Sequence, residues 1–437
     1  MLKDLSDKIL DDLSQDAINL AKLLFPINRS INSKGSIQTL KQIQKHIPLL
    51  KIKYFRQQKD LDWDIPQRWN LKRAYIKRLN GETVIDSSDS NLHVISHSIG
   101  VKRSKMSFEK LKEKIQTIKE KPSAIPYRTS YYKKDWGFCM QHNKFIKMKD
   151  KEYIIEIDAD FEHKPMGYGE LIIPGKNKDK EILFSTYICH PSMANNELSG
   201  PVVSIALIKY LLSKRNQYSY RFLFLPETIG AIAYINKKLN ILKKRIIAGL
   251  VLTCVGDERS FSMIKTKDSN NYLEKIMLNQ FVNIAPKYDS NIKIYDFNLR
   301  QSDERQYCSP GVDLPISCFC RSKYATYPEY HTSDDDFNVV TVRGLRGSIE
   351  VLLRSLDVME HSIFPKCKFL GEPNLGKRGL YPLVGGKKLA TEIRDIKNFL
   401  VYSSGYRSLE EISKLINLSL KDAKNLYSLL QQKGLVS

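Results

Sequence analysis

The sequence predicts an α/β protein: a mixed-sheet core with helices on both faces, an inserted β-rich domain and a C-terminal winged helix-turn-helix. Three observations carry this. From about residue 180 short apolar strands alternate with helical patterns, whereas residues 61–159 are rich in tryptophan, tyrosine and turn signals. Beyond residue 366, spaced capping signals mark short helices. The expected division is therefore a discontinuous core over 1–60 and 160–365, an insert over 61–159, and a winged helix over 366–437.

In chain order, Leu5, Ile9, Leu10, Leu13, Ile18, Leu20, Leu23 and Leu24 fall at helical spacing and predict a helix from Leu2 to Phe25, stopped by Pro26. Ile37, Leu40 and Ile43 place a second helix over Ser36–His46. Trp63, Trp69, Trp136 and the Asn80-Gly81 turn signal predict short antiparallel strands, interrupted by a helix from Ser107 to Lys119. Gly167-Tyr168-Gly169 lacks a following helix and reads as a turn. Strands follow at Ile182–Ile188, Phe222–Leu225, Ala248–Val255 and Pro315–Phe319. Helices are expected at Pro201–Leu212, from Ile229, and at Val339–Met359. Gly385-Gly386 reads as a hinge, Ser408/Glu411 as a capping box for a helix to Ile416, and Ser419/Asp422 as the start of a helix stopped by Gly434. Leu435-Val436 would close the wing as a strand.

Composition removes several classes. The chain has 437 residues, 42% apolar and 27% charged, which excludes a disordered chain, a fibre or a disulfide miniprotein. Its apolar runs, such as Ile247–Val255, fall short of the ~20 residues of a membrane span. The start Met-Leu-Lys-Asp-Leu-Ser-Asp-Lys is not a signal peptide, so a cytoplasmic protein is expected. Seven cysteines without a CxxC spacing predict neither a zinc cluster nor a disulfide framework. Seventy Lys and Arg against 48 Asp and Glu leave a net charge of +22, which suits either a polyanionic partner or a lysine-rich solvated surface.

The chemistry-bearing residues gather at predicted strand ends, where open α/β sheets place their ligands. One cluster runs from Cys189-His190 through Asn195-Asn196-Glu197 to Gly200; others are Pro226-Glu227-Thr228, Thr253-Cys254-Val255-Gly256-Asp257, Ser302-Asp303-Glu304-Arg305 and Tyr330-His331-Thr332-Ser333-Asp334. A zinc hydrolase needs imidazole and carboxylate ligands, an open position for water and a carboxylate base. His190, Glu227 and His331 come from three separate strand ends, so a fold could converge them. No G-x-S-x-G elbow, P-loop or G-x-G-x-x-G fingerprint is present, and Cys189 and His190, adjacent on a strand, are expected to face opposite ways.

The order His190…Ala194-Asn195-x-x-Leu198-Ser199-Gly200…Glu227…Tyr330-His331-Thr332-x-x-Asp335 resembles the co-catalytic zinc aminopeptidase superfamily. Within it, the chain looks like bacterial aminopeptidase-like proteins that carry an inserted β-domain and a C-terminal winged helix, often associated with surface-polysaccharide loci. Trp63-Asp64-Ile65-Pro66, Ala124-Ile125-Pro126-Tyr127-Arg128, Trp136-Gly137-Phe138-Cys139 and Gly167-Tyr168-Gly169-Glu170 extend the likeness over nearly the whole chain. The resemblance implies a metal-dependent hydrolase of peptides or of amide-bearing, sugar-linked substrates, with Glu227 as general base. Three positions depart from it. The family motif reads Ala-Asn-Asp-Asn, with the Asp bridging two metals, and here that position is Asn196. The second of two adjacent glutamates is Thr228, and a further ligand Asp is Thr253. Two zinc ions bring four positive charges into a cleft, which these neutral residues do not offset.

The expectation is one zinc ion or none, held by His190, Asn196 and His331. Glu197, Asp257, Asp303, Arg305 and Tyr330 are the substrate-binding candidates. Asp303 with Glu304 suits a substrate ammonium and Arg305 a carboxylate or phosphate, while a surface ion-pair cluster is the bland alternative. Glu227 can equally be a helix N-terminal carboxylate. Of Asp334-Asp335-Asp336, one member is expected to orient His331 and the others to cap a helix. The competing functional reading is a degenerate, ligand-binding core whose winged helix contacts nucleic acid or a protein, with thirteen Lys and Arg against six Asp and Glu over 366–437.

Overall fold

A computed structural model describes residues 5–57, 61–268, 271–381, 387–405 and 407–437. The chain forms two compact units, Met1–Ser355 and Leu356–Ser437. The first opens with α1 (Asp7–Leu24), whose N-cap Ser6 accepts from the Ile9 N–H, and α2 (Lys34–His46), capped by Ser33. Leu10, Ala17 and Leu24 are buried on α1, as the apolar spacing requires.

Eight strands make the main sheet: β1 (Lys51–Phe55), β8 (Met166–Ile173), β9 (Asn177–Tyr187), β10 (Tyr218–Leu225), β11 (Ile246–Leu252), β12 (Ser260–Ile264), β13 (Asn291–Tyr295) and β14 (Ile316–Cys320). Their order is β1-β8-β10-β9-β11-β14-β12-β13, with β10, β9, β11 and β14 mutually parallel. The crossover helices are α5 (Ser199–Leu212) between β9 and β10 and α6 (Ile229–Arg245) between β10 and β11. The chain steps one way from β9 to β10 and back across β9 to β11. Right-handed crossovers therefore place α5 and α6 on opposite faces and leave a crevice beyond the carboxyl ends of these strands. α7 (Tyr272–Ile284), the one-turn α8 (Glu304–Tyr307) and α9 (Val342–His361) complete the layer.

The intervening segment forms a four-stranded antiparallel sheet, β3-β2-β7-β4, from β2 (Arg68–Lys77), β3 (Thr83–Asp86), β4 (Val101–Ser107) and β7 (Glu152–Glu162). Trp69, Ile76, Ile85, Tyr153 and Ile155 share its core. A short parallel pair, β5 (Ile115–Gln116) and β6 (Phe138–Cys139), and the single turns α3 (Phe108–Leu111) and α4 (His142–Phe145) lie beside it. The second unit holds α10 (Lys387–Tyr402), α11 (Leu409–Leu415) and α12 (Leu420–Gln432) around buried Phe399, Ile412, Ala423 and Leu430. Both arms of the Ser408/Glu411 capping box form, Ser419 accepts from the Asp422 N–H, and Gly434 ends the last helix at φ 69°.

Several expectations are corrected. Gly167-Tyr168-Gly169 is not a turn but part of β8: a Cβ at Gly167 would meet Ile37 Cδ1 at 2.3 Å, so these glycines let α2 lie close on the sheet. The helix expected over Ser107–Lys119 is one α-turn followed by a 3₁₀ turn, because the chain joins β6 from Ile115. Leu435-Val436 supplies one bridge, Cys367 to Val436, rather than a strand. Gly385-Gly386 lies outside the described residues. All seven cysteines are free, and Cys318 and Cys320 are buried in β14. Among the described residues no helix is long and apolar enough to cross a membrane.

The sheet below the crevice is clamped by a buried ionic cluster. Arg221 on β10 donates to Glu181 of β9 and Glu170 of β8 at 2.7 Å each, and Lys53 of β1 and Tyr234 of α6 also reach Glu170. Arg221→Met would remove the buried cation that the two carboxylates share, leaving Glu170 to Lys53 and Glu181 to Arg245, both of which are partly exposed. It is expected to lower unfolding free energy by about 3–5 kcal/mol, read from chemical denaturation.

Candidate active site

Parallel strands in register end together. Tyr187 of β9 lies opposite Leu225 of β10, and Leu252 of β11 opposite Phe319 of β14, so the segments after them open on one edge. Ser192, Thr228, Cys254 and His331, one in each segment that reaches this edge, have positive φ of 46°, 62°, 52° and 56°. Such conformations are costly for residues with a Cβ, and a β-branched threonine is the most costly of them. At Thr228 the strained peptide is held by its N–H, which donates to Asp303 Oδ1 at 2.7 Å.

His190 is fixed from behind. A π-helical turn over Ala194–Leu198 swings Glu197 back so that it accepts from the His190 backbone N–H and meets His190 Nδ1 at 3.0 Å. Arg29, from the loop after α1, donates Nε to Glu197 Oε1 at 2.5 Å and to the His190 carbonyl at 2.9 Å, and Nη1 to the Leu24 carbonyl at 2.6 Å. Arg29 and Glu197 are fully buried. Contrary to the expectation from the sequence, Glu197 therefore does not face substrate; both its oxygens are engaged. Cys189 is also corrected: β9 has ended before it, so its Sγ turns to within 3.6 Å of His190 Nδ1. It accepts from the Glu227 N–H at 3.2 Å, and burial pushes the thiol up to about 11, so it stays protonated.

The second imidazole, His331, stacks against Tyr330 at 3.9 Å between centroids and lies 5.5 Å from the His190 ring. Tyr127, from the segment before β6, packs on both histidines at 5.2 and 5.1 Å and donates its N–H to the His331 carbonyl. Burial, then the nearby His190 and Arg128, push His331 down to about 3, so it is neutral. Burial works against protonation of His190, but the Glu197 carboxylate on Nδ1 favours it and helps hold that imidazole above its ordinary value, so a metal ion at Nε2 would have to displace a proton. Asn196 donates Nδ2 to the Tyr187 hydroxyl at 2.9 Å, and its carbonyl accepts from Thr253 Oγ1 at 2.9 Å. Asp335 does not touch His331; it accepts the N–H groups of Asn195 and Asn196 and the Tyr327 hydroxyl, pinning the π turn. Asp257 is likewise structural rather than substrate-facing: it accepts from Asn195 Nδ2, the Arg259 N–H, and the N–H and hydroxyl of Ser322.

Glu227 sits across the cleft, its Oε2 3.7 Å from His190 Nε2 and its Oε1 3.3 Å from the Ser302 hydroxyl. Burial raises its pKa, while His190 and Arg305 pull it back. Asp303 beside it is wholly buried, and burial together with the Glu227 charge keeps it protonated well above the usual carboxylate range. That placement removes it both as an ammonium anchor and as a surface ion pair. Arg305 is half-buried, donates Nη2 to Thr228 Oγ1 at 2.8 Å, and has a buried Nε without a partner. Arg29, Tyr127 and Tyr187 are the site residues that sequence reasoning gave no role, although Tyr127 lies inside a quoted motif; Asp335, expected to orient His331 or cap a helix, instead pins the π turn. Arg29 carried no local signal.

A zinc ion can be tested against these donors. Asn196 Oδ1 and His331 Nε2 are both buried without a hydrogen-bond partner; the His331 ring lies 5.5 Å from that of His190, and Asn196 is tied to Tyr187, which packs on the His190 ring at 5.3 Å. Two imidazoles and an amide oxygen fit one ion with an open position, and they do not fit two, because Thr228 and Thr253 spend their hydroxyls on Arg305, Tyr187 and Asn196. Cys189, His190 Nδ1 and Glu197 also lie together, but Arg29 already neutralises Glu197 and the thiol is protonated.

This architecture is that of the zinc aminopeptidases. A zinc aminopeptidase of Bacillus subtilis superposes with a TM-score of 0.56 at 14% identity, covering 80% of this chain and 94% of that one. The chain belongs to the family described as a domain of unknown function, DUF4910, which matches residues 18–362, and a winged helix-turn-helix family matches 363–437. The crystal structure of a "putative peptidase" from Clostridium acetobutylicum is similar at 36% identity, with a TM-score of 0.80, covering 98% of this chain and 97% of that one. A Clostridium acetobutylicum protein named "Putative polysaccharide biosynthesis protein with aminopeptidase-like domain" is 40% identical over 373 residues, 84% of this chain and 83% of its own.

Arg29→Met would leave Glu197 charged, buried and unpaired. A loss of about 3–5 kcal/mol in unfolding free energy is expected. The double variant Arg29→Met/Glu197→Gln should recover part of it, which a thermodynamic cycle measures.

Proposed function

We propose that the chain is a single-zinc amide hydrolase acting on a peptide or an amide-bearing, sugar-linked substrate. The observation that carries this is that Asn196 Oδ1 and His331 Nε2 are buried without partners, while the His331 ring lies 5.5 Å from that of His190 and His190 Nε2 lies 3.7 Å from Glu227 Oε2. When bound there, zinc supplies Lewis acidity toward the substrate carbonyl and lowers the pKa of water. The protein's part is to hold and move protons. Glu227 takes a proton from the attacking water and passes it to the leaving amine. Ser302 holds the base by a hydrogen bond, Arg305 favours its charged form against the burial that raises its pKa, and Asp303, raised well above the usual carboxylate range, is the member of the pair that holds a proton more readily. Tyr330, stacked on His331, lines the cleft, and Arg305 offers a cation to a substrate anion.

Elemental mass spectrometry of chelator-free protein should find about one zinc per chain, lost in His190→Ala and in His331→Ala. Absence of metal from the wild type after incubation with zinc overturns the proposal. Glu227→Gln should keep its metal and lose at least about 100-fold in kcat on any amide substrate found. Loss of the metal together with activity would make Glu227 a ligand instead.

A second reading concerns the C-terminal unit. Lys421, Lys424 and Lys433 on and just after α12 are exposed, whereas the Asp422 carboxylate accepts from the Ser419 hydroxyl. This supports a cationic face for nucleic acid. Duplex binding should weaken steeply with salt, with a slope reduced by about one for each lysine changed to alanine. No retardation of a duplex at low salt ends this reading and favours a protein partner.

A further inference from the structure

A cavity of about 710 Å³, within the roughly 300–1,000 Å³ of small-molecule sites, opens between the loop before β2 and the loop before β6. Trp63, Tyr131 and Tyr132 form one wall, their rings meeting edge-on at 6.1 and 5.0 Å, and Tyr132 is 77% exposed. The Tyr131 hydroxyl donates to the Asp64 carbonyl at 2.5 Å and ties the two loops together. His97 lies deeper, only 5% exposed, stacked on Trp69 and met edge-on by Tyr131.

His97 is the anomalous member. Its φ of 65° is costly for a residue with a Cβ, and such strain collects at functional sites. Nδ1 lies 2.7 Å from the Ser30 hydroxyl, and Nε2 is buried without a protein partner. It is therefore the polar atom that His97 offers to the cavity it lines. Burial pushes the imidazole down to about 4, so this is a neutral hydrogen-bonding group.

The polar lining is balanced. Asp62, Asp64, Lys133 and Lys134 line it, two charges of each sign, with Lys133 paired to Asp135, so no excess of one sign marks the cavity for an anion or a cation. What remains is aromatic surface interleaved with hydrogen-bonding groups. A pyranose ring presents that pattern in complement, with C–H faces for the rings and hydroxyls for the carboxylates and His97.

We propose that this cavity is a carbohydrate-binding site for a neutral pyranoside, stacked on Trp63 and Tyr132 with a hydroxyl on His97. The inference does not rest on the hydrolase reading. It shares one structural link with it: Arg29 anchors His190 through Glu197, and the next residue, Ser30, anchors His97.

The test is titration of the full-length protein with methyl glucoside, N-acetylglucosamine and its β-1,4 disaccharide. Saturation-transfer NMR and Trp63 fluorescence are the readouts. At least one sugar should bind saturably, with affinity reduced roughly tenfold, the equivalent of ~1.4 kcal/mol, in Tyr132→Ala. His97→Gln should weaken it as well. Tyr132 is exposed, so its variant should stay folded, which thermal melting checks. Zinc content should be unchanged in both variants, separating failure of this site from failure of the metal centre. No saturable binding of any of the three sugars overturns the proposal, as does binding unaffected by Tyr132→Ala. Choline binding at this cavity in place of the sugars would make it an ammonium cage and also overturn it.

Discussion

The ion pair between Arg29 and Glu197 joins residues 168 positions apart, and the candidate site is organised around it. Neither group is stable alone in a dry interior, since an unpaired buried charge costs several kcal/mol. Together they offset each other's charge: the guanidinium also takes the Leu24 and His190 carbonyls, and the carboxylate takes the His190 N–H and faces its imidazole. The loop after α1, the end of β9 and the π turn before α5 are thereby locked to one another. His190 turns its Nε2 toward Glu227 because Nδ1 is already committed. A histidine oriented this way by a carboxylate is what a metal-binding imidazole requires.

Around that lock the chain has exchanged charge for neutral hydrogen bonding. Where the resembled two-metal enzymes keep carboxylates, this protein has Asn196, Thr228 and Thr253. Asn196 and Thr253 both reach the Tyr187 hydroxyl, and the Thr253 hydroxyl donates to the Asn196 backbone carbonyl; Thr228 takes a guanidinium. Arg305 thus brings positive charge next to the Glu227 base, where two metal ions would otherwise supply it. The remaining acids are divided by environment: Glu227 reaches the cleft, while Asp303, Asp335 and Asp257 are buried and serve the backbone.

Strain is concentrated at the same edge. Left-handed backbone at Ser192, Thr228, Cys254 and His331 is sustained by hydrogen bonds such as Asp303 to Thr228, and by close packing of Gly200, whose Cβ would lie 2.4 Å from the Leu252 carbonyl. His97 repeats the pattern in the aromatic cavity. The ionic cluster of Arg221 holds the strands below, so the strained ends stand on a rigid base.

The sequence by itself determined the parallel strand–helix alternation, the capped C-terminal helices, and the strand ends carrying His190, Glu227 and His331. Each of these is a local pattern: apolar periodicity, an S-x-x-E spacing, polar residues just past an apolar run. It also carried the neutral replacements, since those are read position by position. Tertiary structure alone decided what each polar residue faces. A π turn reversed Glu197, the end of β9 before Cys189 let its thiol turn toward His190, a left-handed step turned Thr228, and burial converted Asp257 and Asp303 from candidate substrate contacts into structural groups. Arg29 and Ser30 had no motif around them. Their partners lie 168 and 67 residues away, and such long-range pairing leaves no periodic or spacing signal in a single sequence.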